Sequence, residues 1–112
     1  MKNDQAYLDH ILESIGWIEN FTSEGREAFF KDRKTQSAVL RELQTLAEST
    51  QRLSDNLKGR YPDIPWQNMA GFRNVIVHDY LGIKLERVWQ IIEEDLPSLK
   101  IILNRAMAEK KK

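Results

Sequence analysis

Apolar residues spaced three and four positions apart recur through this chain, and that spacing restricts it to packed amphipathic helices. Leu8, Ile11, Leu12, Ile15 and Ile18 form one such stripe, which predicts a helix from about Asn3 or Asp4 to about Phe21. Thr22-Ser23-Glu24-Gly25 breaks the period, with Ser23 the candidate cap of a short turn carrying Ala28-Phe29-Phe30. A second long period begins at Thr35 or Gln36 and runs through Val39, Leu43, Leu46, Ala47, Thr50, Leu53 and Leu57. Gly59 is its expected stop.

Tyr61-Pro62-Asp63-Ile64-Pro65 cannot be regular helix, because each proline lacks a donor and restricts the residue before it. Trp66 is expected to start a third helix reaching about His78 or Tyr80, and Gly82 punctuates the chain. Leu85, Val88, Trp89 and Ile92 define a fourth. Asp95-Leu96-Pro97 should kink or restart the chain, with Pro97 suited to a first helical position. Leu99, Ile102, Leu103 and Met107 complete a fifth helix, and Lys110-Lys111-Lys112 reads as a frayed tail. No stretch alternates as a strand does. The expected fold is therefore all-α, an antiparallel up-down helical bundle of about four to five helices, as one domain over residues 1–112.

Charge narrows the functions open to such a bundle. The 17 basic and 17 acidic residues cancel, so no global field draws in nucleic acid. Any basic surface must be local, and the excess of Lys and Arg lies in residues 57–112. With no cysteine, disulfides and thiolate chemistry are excluded. Met1 to Gln5 lacks the apolar core of a signal peptide, and no apolar run approaches a membrane span. The expected compartment is the cytoplasm.

The segment Arg73-Asn74-Val75-Ile76-Val77-His78-Asp79-Tyr80 concentrates the polar chemistry. On a helix at about 100° per residue, with Arg73 at zero, Tyr80 falls near −20°, Asn74 near 100° and His78 near 140°. Met69, Phe72, Val75 and Ile76 occupy roughly 200° to 320° by the same count. One arc is apolar and faces the core; the other gathers a guanidinium, an amide, an imidazole and a phenol. Arg is a permanently charged fork that matches phosphate oxygens, and His exchanges protons near neutrality. RNA supplies its own nucleophile, the 2′-hydroxyl, so a base, an acid and a cation suffice to cleave it without a metal. One such histidine per chain is one short of an acid–base pair, and a two-fold dimer apposing two copies of this helix supplies the second. The residues alone also admit plainer roles: His78 as a helix C-terminal cation, Arg73 as an ion-pairing partner of Asp79, Tyr80 as an amphipathic plug. His10, beside Asp9, reads as a surface residue. His10 and His78 stand too far apart in sequence to suggest a metal site. Trp17, Trp66 and Trp89 suit core or dimer packing better than base stacking.

Arg73, His78 and Tyr80 match the Arg-x4-His-x-Tyr motif of HEPN-domain ribonucleases, with Asn74 directly after the arginine. Pro65-Trp66 ahead of the motif, Asp79 within it, and Trp89 and Leu96-Pro97 after it are similar to the HepT-type toxins of that group. The resemblance extends over essentially the whole chain. It implies a toxin endoribonuclease that dimerises with its motif helices facing each other, Arg73 and His78 being the catalytic pair and Asn74 a supporting residue. It further implies an RNA substrate, a cyclic-phosphate product and no cofactor. The implied partner is an MntA-type nucleotidyltransferase antitoxin that AMPylates Tyr80. A non-catalytic helical module binding a nucleotide or a protein is the rival reading of the same residues.

Overall fold

The computed structural model describes residues 2–67, 69 and 85–110, with side chains for 4–67, 69 and 85–108. Helix α1 spans Lys2–Phe21, α2 Arg26–Lys31, α3 Arg33–Arg52 and α4 Asp55–Arg60. Trp66, Gln67 and Met69 are again helical. After the motif segment, α5 (Leu85–Gln90) runs through a π-helical turn at Ile91–Asp95 into α6 (Leu96–Lys110). No strand occurs among the described residues, and the fold is all-α as its periodicity requires.

Helices α1 and α3 form the centre of the bundle. Asp4 meets Ser54 and His10 meets Ser49, so rising numbers in α1 meet falling numbers in α3 and the pair is antiparallel. Gln5 reaches Met107 and Glu19 pairs with Lys100, which sets α6 antiparallel to α1 as well. The predicted stripes converge between these helices: Leu8, Ile11, Ile15 and Ile18 of α1 are buried with Val39, Leu43 and Leu46 of α3 and Leu99 and Leu103 of α6. Trp17 and Ile101 are the large apolar side chains left exposed, at 49% and 60%, among the described residues.

Helix boundaries depart from the predictions where local hydrogen bonds outbid periodicity. Ser23 does not cap α2: the cap position is Gly25, at φ 98° and ψ −177°, a backbone conformation that essentially only glycine adopts. Helix α3 begins earlier than Thr35, because the Asp32 carboxylate accepts from Lys34 N at 3.0 Å and from Thr35 Oγ at 2.7 Å. The bond from Thr35 holds the Asp32 carboxyl below the ordinary carboxylate range. The period from Thr35 to Leu57 is not one helix. It breaks at Leu53, Ser54 caps α4 through Leu57 N, and Gly59 lies inside α4 rather than ending it.

The expected fourth and fifth helices are one continuous helical run. Pro97 has no N–H, and its ring would strike the carbonyl four residues back in a regular helix. The turn ahead of it widens instead, and Leu96 N–H bonds to Ile91 O, five residues earlier. The kink foreseen at Asp95-Leu96-Pro97 is absorbed there. Among the described residues, no helix is long and apolar enough to cross a membrane.

Candidate functional site

Arg73, Asn74, His78 and Tyr80 lie outside the described residues. What the structure gives is the framework on both sides of them. Ahead of the motif, the Asp4 carboxylate is buried, 3% exposed, on the core stripe of α1. It accepts from Ser54 N at 2.8 Å and from Ser54 Oγ at 2.6 Å. Ser54 Oγ in turn accepts from Leu57 N at 3.1 Å, so one hydroxyl both donates to the acid and caps α4. At the other end of α4, the Trp66 indole donates to Lys58 O at 3.2 Å and Tyr61 O at 3.1 Å. Ile64 and Met69 are buried beside it in the core. Met69 stands four residues ahead of Arg73.

After the motif, Trp89 on α5 packs its ring 5.4 Å from Phe29 of α2, and Val88 and Ile91 enter the core. The Trp89 indole N–H is enclosed and has no acceptor among the described residues. Gln36 of α3 donates to Phe29 O at 2.9 Å and Phe30 O at 3.2 Å, closing the open carbonyls of α2. At the end of the π turn, burial pushes the Asp95 carboxyl up, against the attraction of Arg87.

The model of the "Ribonuclease HepT-like" family matches residues 11–106, a span that includes the whole motif. The chain belongs to the HepT-like ribonuclease family. It is 39% identical over 100 residues to a probable ribonuclease HepT of Thermococcus cleftensis, covering 88% of this chain and 91% of that one. It is 37% identical over 98 residues to a candidate RNase of Methanocaldococcus jannaschii, covering 87% and 81%. A further M. jannaschii protein, named as a gamma-glutamylcyclotransferase and candidate RNase, is 34% identical over 109 residues, which is 96% of this chain but 49% of that one. No solved structure matches.

In this HepT-like chain the remaining residues singled out from sequence fall as follows. His10 is not a free surface residue: it is partly buried, with Nδ1 2.6 Å from Ser49 Oγ, and links α1 to α3. Trp66 and Trp89 pack against the core as expected, whereas Trp17 is half exposed and stacks on Phe21 at 5.8 Å. Among the described residues no three His, Asp or Glu side chains converge as a cation would need. Asp4 and Ser54 were not singled out. A signal existed for each: Asp4 sits one helical turn before Leu8 on an apolar stripe, and Ser54 precedes Asp55 and Leu57 as a cap would.

Proposed function

We propose that this chain is a toxin endoribonuclease whose active site is assembled by two subunits and restrained by a nucleotidyltransferase antitoxin. The observation that carries the reading is the Arg73…His78-Asp79-Tyr80 motif standing inside a HepT-like family match. Relatives named as ribonucleases support RNA as the substrate. One His78 removes the proton of a 2′-hydroxyl, whose oxygen attacks the adjacent phosphorus. The bond from phosphorus to the 5′-oxygen breaks, and the partner subunit's His78 protonates that leaving oxygen. Arg73 holds the non-bridging oxygens as negative charge builds on them, and Asn74 helps orient the phosphate. The products are a 2′,3′-cyclic phosphate and a 5′-hydroxyl, and no step needs a metal or a cofactor.

Incubation of the purified protein with single-stranded RNA tests this. Fragments ending in cyclic phosphate are expected, with activity per subunit falling on dilution as dimers separate. Intact RNA in the presence of folded, dimeric protein would install the non-catalytic binding module in its place.

The restraint is covalent in this reading. The antitoxin transfers AMP from ATP to the Tyr80 hydroxyl and releases pyrophosphate. On a helix Tyr80 projects within about 20° of Arg73, so the added phosphate occupies the guanidinium and the nucleotide blocks the RNA path. Intact mass after co-expression with the nucleotidyltransferase should show adenylate increments that disappear in Tyr80→Phe. Increments that persist in the variant would remove Tyr80 from the scheme.

A further inference from the structure

We infer that Asp4, Ser54 and Trp66 are positioning residues for the catalytic motif, linked through α4 into one hydrogen-bonded tie from the first turn of α1 to the start of the motif segment. The inference rests on the ribonuclease reading above for its kinetic consequence, but not for its structural one.

Three features distinguish this tie from ordinary packing. The first is its acid. Burying a carboxylate on a helical stripe is costly unless donors meet it, and Leu or Ile at residue 4 would extend the apolar period of α1. Asp4 instead meets two donors of one residue, Ser54 N–H and Ser54 Oγ–H. The second is the place where it acts. Leu53 and Leu57 keep helical spacing, yet the chain leaves the helix between them because Ser54 is drawn to Asp4 and caps the next helix. The six residues of α4 are too few to be stable alone, so their placement follows from Ser54 at one end and Leu57 in the core.

The third feature is the indole bond at the far end. Lys58 O already accepts from Tyr61 N at 3.2 Å, and Tyr61 O from Ile64 N at 3.2 Å. Trp66 Nε1 therefore adds direction to carbonyls that are already satisfied. What it orients is Trp66 itself, which is helical together with Gln67 and Met69 and stands seven positions before Arg73 in the sequence. Trp66 fixes the direction in which the chain sets out toward the motif, so loosening it alters where the motif segment begins. A catalytic pair shared across a dimer tolerates little of that, since a displacement of about 1 Å costs roughly a hundredfold in rate.

Trp66→Phe tests the tie with little risk to the fold, because a smaller aromatic ring still fills most of the indole's place and no carbonyl is orphaned. In the full-length dimer, kcat for a single-stranded RNA is expected to fall about ten- to hundredfold, with KM within about twofold of the parent. The melting temperature should move by no more than about 5 °C. Asp4→Asn should act on the same step, and the double variant should fall short of the product of the two single effects. Hydrogen–deuterium exchange supplies the readout independent of catalysis: uptake in a peptide covering 61–69 should rise in Asp4→Asn, while a peptide covering 96–107 stays as in the parent. Parental kcat in Trp66→Phe, multiplicative effects in the double variant, or unchanged uptake at 61–69 would each overturn the tie. If Asp4→Asn does not fold, Trp66→Phe decides through its kcat and its own uptake at 61–69. If the parent itself leaves RNA intact, the ribonuclease reading fails, and the exchange result still decides whether the tie exists.

Discussion

Replacing His78 by alanine in one of two subunits is expected to slow RNA cleavage by about 10²–10⁴-fold, the usual worth of one positioned proton transfer. Replacing it in both should slow the reaction further, though by less than the square, because groups that act as a unit are not additive. The hybrid is the decisive species. If base and acid are the two copies of His78, a dimer with one imidazole lacks one proton transfer at its single site. If each subunit holds a complete site, the hybrid retains half the parental rate. Co-expression of parent and variant under two different affinity tags, followed by sequential capture, yields the hybrid in isolation. Cleavage at half the parental rate would abolish the shared site and leave a ribonuclease. A variant homodimer that cuts as fast as the parent would remove His78 from catalysis altogether. Unchanged helical circular dichroism in all three dimers separates either result from a folding defect.

The family was legible because the motif that first points to it is local. Arg73 to Tyr80 spans eight consecutive residues that hold the polar groups and the Arg-x4-His-x-Tyr pattern, while Pro65-Trp66, Trp89 and Leu96-Pro97 extend the resemblance along the chain. The stripes of α1, α3 and α6 were legible for the same reason: periodicity reports which face is buried, and Leu8, Leu43 and Leu103 are all buried as their spacing requires. What could not be read was anything joining distant positions. The bond from Asp4 to Ser54 crosses 50 positions of sequence, and it decides where α3 stops. Leu53 and Leu57 conceal that break, since a four-residue step looks the same in one helix or across two. Pro97 shows the limit differently: its lost donor and its clash were foreseeable, but whether the chain restarts or widens by one residue depends on keeping Leu96 and Leu99 in the core. At Gly25 the tight turn between Thr22 and α2 selects a glycine conformation, while Ser23 carries only the residue type of a cap.

The largest effect on stability is expected at Phe29. Helix α2 has six residues, and Phe29 is the one it buries. A helix of that length does not persist by its own hydrogen bonds, so its attachment depends on this ring and on the two Gln36 bonds to Phe29 O and Phe30 O. The ring is 1% exposed, lies 5.4 Å from Trp89 and meets Phe30 edge-on at 5.6 Å. Phe29→Ala leaves a cavity against Trp89 and removes the contact that holds α2 to the helix following the motif. Losses for such truncations are about 3–5 kcal/mol, a large share of the roughly 5–15 kcal/mol that keeps a domain folded. For a chain of this size the melting temperature should fall by roughly 15–25 °C. Phe30→Ala provides the comparison: its ring is only partly buried and is covered by the Arg26 guanidinium at 4.4 Å, so its loss should cost well under half as much. Thermal unfolding followed by circular dichroism measures both. Equal shifts for the two variants would show that α2 is held by its surface contacts and not by Phe29.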